Sequence, residues 1–342
     1  MLNKLEGSFF RYKGGLRPYV AAILYCQLAY FGGVVLILSS NPIWMIIGTL
    51  FLTHGMLIAA YLIHDCGHNA LFKSPHHNAF IGSALNWLTG GCYGCYQDLR
   101  IKHMMHHMHN ADIIEFNYRD YLARHPIQRK LVEILEWFYI PAIEVIMHGI
   151  LIIAPFVCEH KKDQRLRAAA VIVVRFSLLL TLFLYSPIAY ACYLLAYMMF
   201  LTILRFMDAF QHNYDIVMRH DNKPDLMMHR GGHEYEQTHT FSNPISINNP
   251  WLNLFTLNFG YHNAHHARPT TPWYELPNLH QSLYGNETNF IVPFRQQLSS
   301  FHKNRVIRVM GDESEIHGNH FAQRLQKGEA VGINGVSFLT PF

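Results

Sequence analysis

Charge is what this 342-residue sequence has least of. Asp, Glu, Lys and Arg together make up 15% of it, against ~25% in an ordinary soluble domain. The excess of base is a formal +4, too small for the concentrated cationic face of a nucleic-acid-binding protein, so no nucleic-acid partner is expected. Cysteine is also sparse. Cys26, Cys66, Cys92, Cys95, Cys158 and Cys192 are scattered, with Cys26 and Cys192 inside apolar runs, which is no disulfide framework. Cys92-Tyr-Gly-Cys95 has C-x-x-C spacing but lacks a second pair and a redox-domain pattern around it, so it reads as an incidental match. There is no internal repeat and no low-complexity segment. The opening residues, MLNKLEGSFFRYKGGLRPY, are too polar for a signal peptide, and the first apolar segment is therefore expected to be retained.

What fills the space left by charge is apolar sequence, 51% of the chain. Runs at about 19–39, 43–63, 168–185 and 188–206 each approach the ~20 residues that cross a bilayer. Ser40-Asn41-Pro42 and Ser186-Pro187 separate them into two hairpins. Lys4, Arg11, Lys13 and Arg17 against Glu6 in residues 1–18 predict a cytoplasmic N-terminus. Two further apolar stretches read as interfacial. Residues 78–97 are broken by Thr89-Gly90-Gly91, and 138–157 carry Pro141, Glu144 and His148; a crossing at either would put histidine clusters on opposite faces of the membrane. Arg175, about two turns inside the third run, is expected to snorkel toward the headgroups, with a charge facing the bundle interior near the substrate path as the alternative. From Met207 the chain is soluble in character, and from about residue 300 it is a charged tail.

The other abundance is histidine, 24 residues. His103, His106 and His107 in HMMHH stand at i, i+3 and i+4, which on a helix puts three imidazoles on one face. His262, His265 and His266 in HNAHH repeat that spacing, and His64 and His68 in HDCGH stand at i, i+4 at the end of the second apolar run. Imidazole suits zinc, copper, iron and nickel. Eight ligands exceed the four of one tetrahedral zinc and suit two adjacent metals. Neutral ligands leave the cations' charge uncompensated, which favours binding and reducing dioxygen. Beside lipid chains, the inferred chemistry is oxidation of an unactivated C–H bond in an apolar substrate.

HDCGH, HMMHH and HNAHH, in this order and with this membrane pattern, resemble the three histidine boxes of the membrane-bound fatty acid desaturase family, over roughly His64 to Leu283. The resemblance implies a non-haem diiron centre that uses dioxygen and reducing equivalents to desaturate a fatty acyl chain. It implies that His64, His68, His103, His106, His107, His262, His265 and His266 are iron ligands. Members commonly have another histidine shortly after the fourth span, a position matched here by His212 in FQHNYD, on the expectation that the fourth helix runs on to it. His239 is the rival for that place, with a plain loop histidine as its expected identity. Asp65 and Asp112 are candidates to hydrogen-bond ligand ring nitrogens. Front-end members put glutamine at the first position of the third box and often carry a fused cytochrome b5 domain. This chain has His262 and no HPGG haem motif, so a separate electron donor of ferredoxin or cytochrome b5 type is implied. The HNADIIEFNYRDY run after the second box is also similar to carotenoid hydroxylases and ketolases, which leaves the substrate and reaction less defined than the metal centre.

The architecture expected is thus an all-α membrane protein. Four transmembrane helices in two hairpins would carry a cytoplasmic helical cap with a dimetal site, in a desaturase domain of residues 19–299 followed by a tail at 300–342. Both termini would be cytoplasmic, with a bacterial plasma membrane as the setting. Two rival classes fit less well. A histidine-rich metal transporter should bury its ligands at mid-membrane on broken, repeated helices. A zinc hydrolase should show H-E-x-x-H, whereas His233-Glu234 is followed by Tyr-Glu-Gln.

Overall fold

The computed structural model describes residues 9–218, 231–285, 287–311, 313 and 316–333. In chain order the helices are α1 (Leu16–Ile37), α2 (Pro42–Gly67), α3 (Pro75–Asn86) and α4 (Tyr96–His109). Strand β1 (Ala111–Ile114) precedes α5 (Tyr118–Arg124), α6 (Pro126–Trp137), α7 (Ala142–Val157), α8 (Arg165–Tyr185) and α9 (Pro187–Asp208). Strand β2 (Asp215–Met218) is followed by α10 (His233–Thr238), α11 (His262–Ala267), α12 (Leu276–Tyr284), α13 (Phe294–Lys303) and α14 (Gly318–Lys327). Four helical segments are long and apolar enough to cross a membrane: Leu16–Ile37, Pro42–Gly67, Glu159–Tyr185 and Pro187–Asp208. They overlie the four expected runs. The stretches expected to be interfacial give only the 12-residue α3 and the 16-residue α7.

The chain divides into two compact units. The first comprises the described residues of 1–99 and 146–203. Here α2 starts cleanly, with Pro42 at its first position and the Asn41 side chain accepting from the Ile43 amide at 2.9 Å, a cap that satisfies an otherwise orphaned donor. Helix α1 lies against α2 in the opposite direction. A Cβ on Gly33 would meet the Gly48 carbonyl oxygen at 2.8 Å, and one on Gly55 the Tyr30 amide at 2.9 Å, so glycine sets this close approach. At 26 residues, α2 is about 39 Å long, longer than a ~30 Å hydrocarbon core. His64 stands in its last turn. Arg175 takes the interior-facing alternative and does not snorkel. It is only 8% exposed and donates to the Trp87 carbonyl and the Tyr193 hydroxyl, each at 3.3 Å. Those oxygens lie on the inner side of α8, and their hydrogen bonds hold the guanidinium there instead of letting it snorkel.

The second unit comprises the described residues of 100–145 and 204–338 and is not purely helical. Asn110 (φ 51°) takes the left-handed conformation directly after α4, a conformation asparagine tolerates at helix ends. The chain then turns into β1, which pairs in parallel with β2 so that Asp112 stands opposite Ile216. This short sheet corrects the all-α expectation. Four-residue strands offer too little alternation to be read from sequence. The C-terminal part of the unit is built in as well: Phe321 and Leu325 of α14 pack with Phe210, Phe241 and Phe301, and residue 300 lies inside α13.

Buried polar groups tie this unit together. Arg205, near the end of α9, is paired with Glu136 of α6 at 2.7 Å and with Glu144 of α7 at 3.0 Å. Gln211 donates to the Asn243 side-chain oxygen at 3.0 Å, and Asn243 to the Met207 carbonyl at 2.7 Å. Asn263 donates to the carbonyls of Thr240 (2.7 Å) and Gln237 (3.2 Å). These amides pin the segments 207–213, 237–243 and 259–263 to one another.

Candidate metal centre

Seven of the nine histidines singled out from sequence meet within the second unit. Helix α4 brings its three as the spacing requires, and α11 is a single turn that presents His262, His265 and His266. The approach to α11 is tightly specified. Leu257 (φ 44°) and Asn258 (φ 58°) are both left-handed, and Asn258 is held by the Trp273 carbonyl at 3.2 Å. Gly260 accepts from the Asn243 amide at 2.7 Å, and a Cβ there would meet the Pro244 Cα at 2.7 Å.

His212 arrives by a different route from the one expected. Helix α9 ends at Asp208, and His212 lies in extended chain, bridged to Thr240. The Gln211 carbonyl accepts from the Phe241 amide at 2.8 Å, and the Asn213 amide donates to the His239 carbonyl at 3.2 Å. Backbone pairing, in place of a helical extension, holds the imidazole among the others.

Ring nitrogens converge closely. Nε2 of His212 is 2.7 Å from Nε2 of His262 and 3.2 Å from Nε2 of His106. Nε2 of His265 and His107 are 3.3 Å apart. One ring nitrogen each from His106, His212 and His266 lie within 4.8 Å of one another, as do those of His103, His107 and His265. Two imidazoles on one first-row cation, at ~2.0–2.1 Å bonds and angles between square and tetrahedral, have nitrogens about 2.9–3.4 Å apart. The observed separations fall around that range. The same interatomic limit holds for His64 and His68 in the first unit.

The far sides of two rings are fixed by carboxylates. Nδ1 of His106 lies 3.1 Å from Asp112 Oδ1 and 3.2 Å from the Ala111 carbonyl oxygen. Both are acceptors, so Nδ1 carries the proton and Nε2 offers its lone pair toward His212. Nδ1 of His266 lies 3.1 Å from Glu236 Oε1, while its buried Nε2 has no hydrogen-bond partner. A buried lone pair without a donor costs free energy, and a cation would relieve it. The turn at Asn110 brings Asp112 beside His106. Glu236 was missed; its only signal was a carboxylate three residues before His239 in a polar segment. Asp65 accepts the Tyr19 hydroxyl at 2.6 Å. His239 stacks on Tyr235, with Nδ1 at 2.9 Å from the Tyr235 carbonyl.

Burial favours the neutral form of five of these imidazoles. It holds His103, His212, His265 and His266 well below the usual histidine range, with the neighbouring imidazoles adding to the effect. His262 is lowered to about 3 by burial and by His106. Convergent imidazoles, five of them buried and two backed by carboxylates, form a donor set that fits first-row metal ions.

No curated protein matches the chain. The family model for fatty acid desaturase does, over residues 41–297. That match takes in all three histidine clusters and His212, and the chain belongs to the fatty acid desaturase family.

Proposed function

We propose that the protein is a membrane-bound diiron oxidoreductase that desaturates a fatty acyl chain with dioxygen. The observation that carries this reading is the convergence of the ring nitrogens of His103, His106, His107, His212, His262, His265 and His266, five of them on buried imidazoles, within a chain of this family. The histidine-box resemblance adds His64 and His68 as the pair offered by α2. His239 is left out of the ligand set, because its ring nitrogens join none of the convergent groups found among the described residues. The four apolar helices form two membrane hairpins, with the histidines and both termini on the cytoplasmic side, and a separate ferredoxin or cytochrome b5 type protein delivers electrons.

Bound iron supplies activation of dioxygen for attack on an unactivated C–H bond. The chain's own residues do the rest. Asp112 and Glu236 keep the Nδ1 protons of His106 and His266 in place, so that Nε2 remains the ligand atom. Their two negative charges offset part of the cationic charge that nine neutral imidazoles leave uncompensated. Burial excludes water from the ligand nitrogens. The amide clamp of Gln211, Asn243 and Asn263 fixes the strand bearing His212 against the turn bearing the third box, which limits the reorganisation a metal site would otherwise need.

The test is lipid profiling of a host expressing the wild type or the His266→Ala variant. A new double bond in acyl chains, dependent on His266, is the expected result. A hydroxylated or ketolated product that needs His266 would replace desaturation by the other oxidation. An unchanged profile, with inserted and iron-loaded protein, would refute acyl oxidation.

A further inference from the structure

Helix α6 is built inside out. At 100° per residue, Ile127, Leu131, Ile134 and Phe138 fall within about 60° of arc, forming one apolar stripe. On a water-facing helix that stripe would face the core. Here it is the outer face, with Ile127 83%, Leu131 56%, Ile134 47% and Phe138 64% exposed. The opposite side carries Val132 and Glu136, both buried, and Glu136 is paired with Arg205. This inversion has no rationale in water.

Its position along the membrane-spanning sequence says what covers it. Arg205 stands in the last turn of α9, the fourth apolar helix, about 27 Å of helical rise from Pro187. A ~30 Å hydrocarbon core therefore ends near Arg205, and the Glu136 ion pair sets α6 at that level. Trp137 follows the stripe, with the Arg305 guanidinium over its ring at 5.2 Å. A tryptophan and a cation at that depth match the composition of the headgroup boundary. An open groove of about 310 Å³, lined by Lys130, Glu133, Ile134, Trp137, Phe138 and Val306, runs beside the stripe.

We propose that α6 is a membrane-surface anchor whose Ile127–Phe138 stripe inserts into the boundary between acyl chains and headgroups of the lipid bilayer. Lys130, in the groove, and Arg305, over the Trp137 ring, are the cations offered to lipid phosphates there. The inference rests on the membrane reading of the four apolar helices, but not on the metal centre.

The experiment uses the full chain in nanodiscs of phosphatidylcholine and phosphatidylglycerol. The nanodiscs carry a phospholipid with a photoactivatable carbene precursor near the carboxyl end of its acyl chain, and adducts are mapped by peptide mass spectrometry. Adducts within 126–138, reduced at least several-fold in Leu131→Asp, support the anchor; adducts on α1, α8 and α9 report that the membrane reading itself holds. Labelled spans with a bare 126–138 segment in the wild type would overturn the anchor while leaving the membrane reading intact. Bare spans would overturn both. If Leu131→Asp fails to insert, the wild-type map alone decides.

Discussion

Replacing Arg205 with methionine should destabilise the protein, and by more as pH rises. In the wild type the guanidinium donates three hydrogen bonds, to both Glu136 oxygens at 2.9 and 2.7 Å and to Glu144 at 3.0 Å. Removing one partner of a buried ion pair costs about 3–5 kcal/mol, because the remaining charge is stranded. The Glu144 carboxyl is pushed up to about 7 by burial, against the pull of Arg205. Without Arg205 it rises further, so the folded state holds its proton where the unfolded state has released it. A group with a raised folded pKa loses its stabilisation as pH increases. Above pH 7 the variant should therefore lose about 1.4 kcal/mol per pH unit relative to the wild type through Glu144. The assay is thermal or denaturant unfolding in detergent at pH 6 and pH 8, comparing the two proteins. A penalty equal at both pH values would show that the carboxylates are solvated and the triad is not buried as described.

Three further outcomes follow from the site. Gly260→Ala forces a Cβ to within 2.7 Å of the Pro244 Cα and strains the amide clamp, so it should cost about 1–3 kcal/mol and lower bound metal, measured by unfolding and metal analysis. Asp112→Asn or Glu236→Gln removes the carboxylate behind His106 or His266 and should weaken metal affinity about 10–100-fold, read by competition with a chelator, with the protein still folded. Apoprotein stability should fall as pH drops below the ordinary histidine range near 6.5 toward about 3, since the lowered His262 and its buried neighbours bind protons in the unfolded state and not in the folded one; unfolding midpoints at pH 5 and 7.5 that coincide would contradict it.

The spans and the three histidine clusters were legible because both depend on local period. An apolar run of span length and imidazoles at i, i+3, i+4 need only a helix to acquire meaning. The two readings of Arg175 could not be separated from sequence, because snorkelling is a property of the isolated residue whereas its burial comes from Trp87 and Tyr193, 88 and 18 residues away. His212 was placed in the cluster for the wrong structural reason. Its position depends on bridging to Thr240 and on β1–β2 pairing, which are contacts between segments about 30 and 100 residues apart. Asp112 was found because it follows the second box closely, but the turn that points it back at His106 lies in Asn110. Glu236 had no such neighbour in sequence, and its partner His266 is 30 residues away.

The central claim is a dimetal site in which His212 is a ligand and His239 is not. The most direct measurement is metal content per chain of the purified wild type, His212→Ala and His239→Ala proteins, each shown to be inserted and monodisperse. The account predicts two irons in the wild type, a loss of iron in His212→Ala, and full retention in His239→Ala. A single zinc in the wild type, or iron kept without His212 and lost without His239, would contradict it.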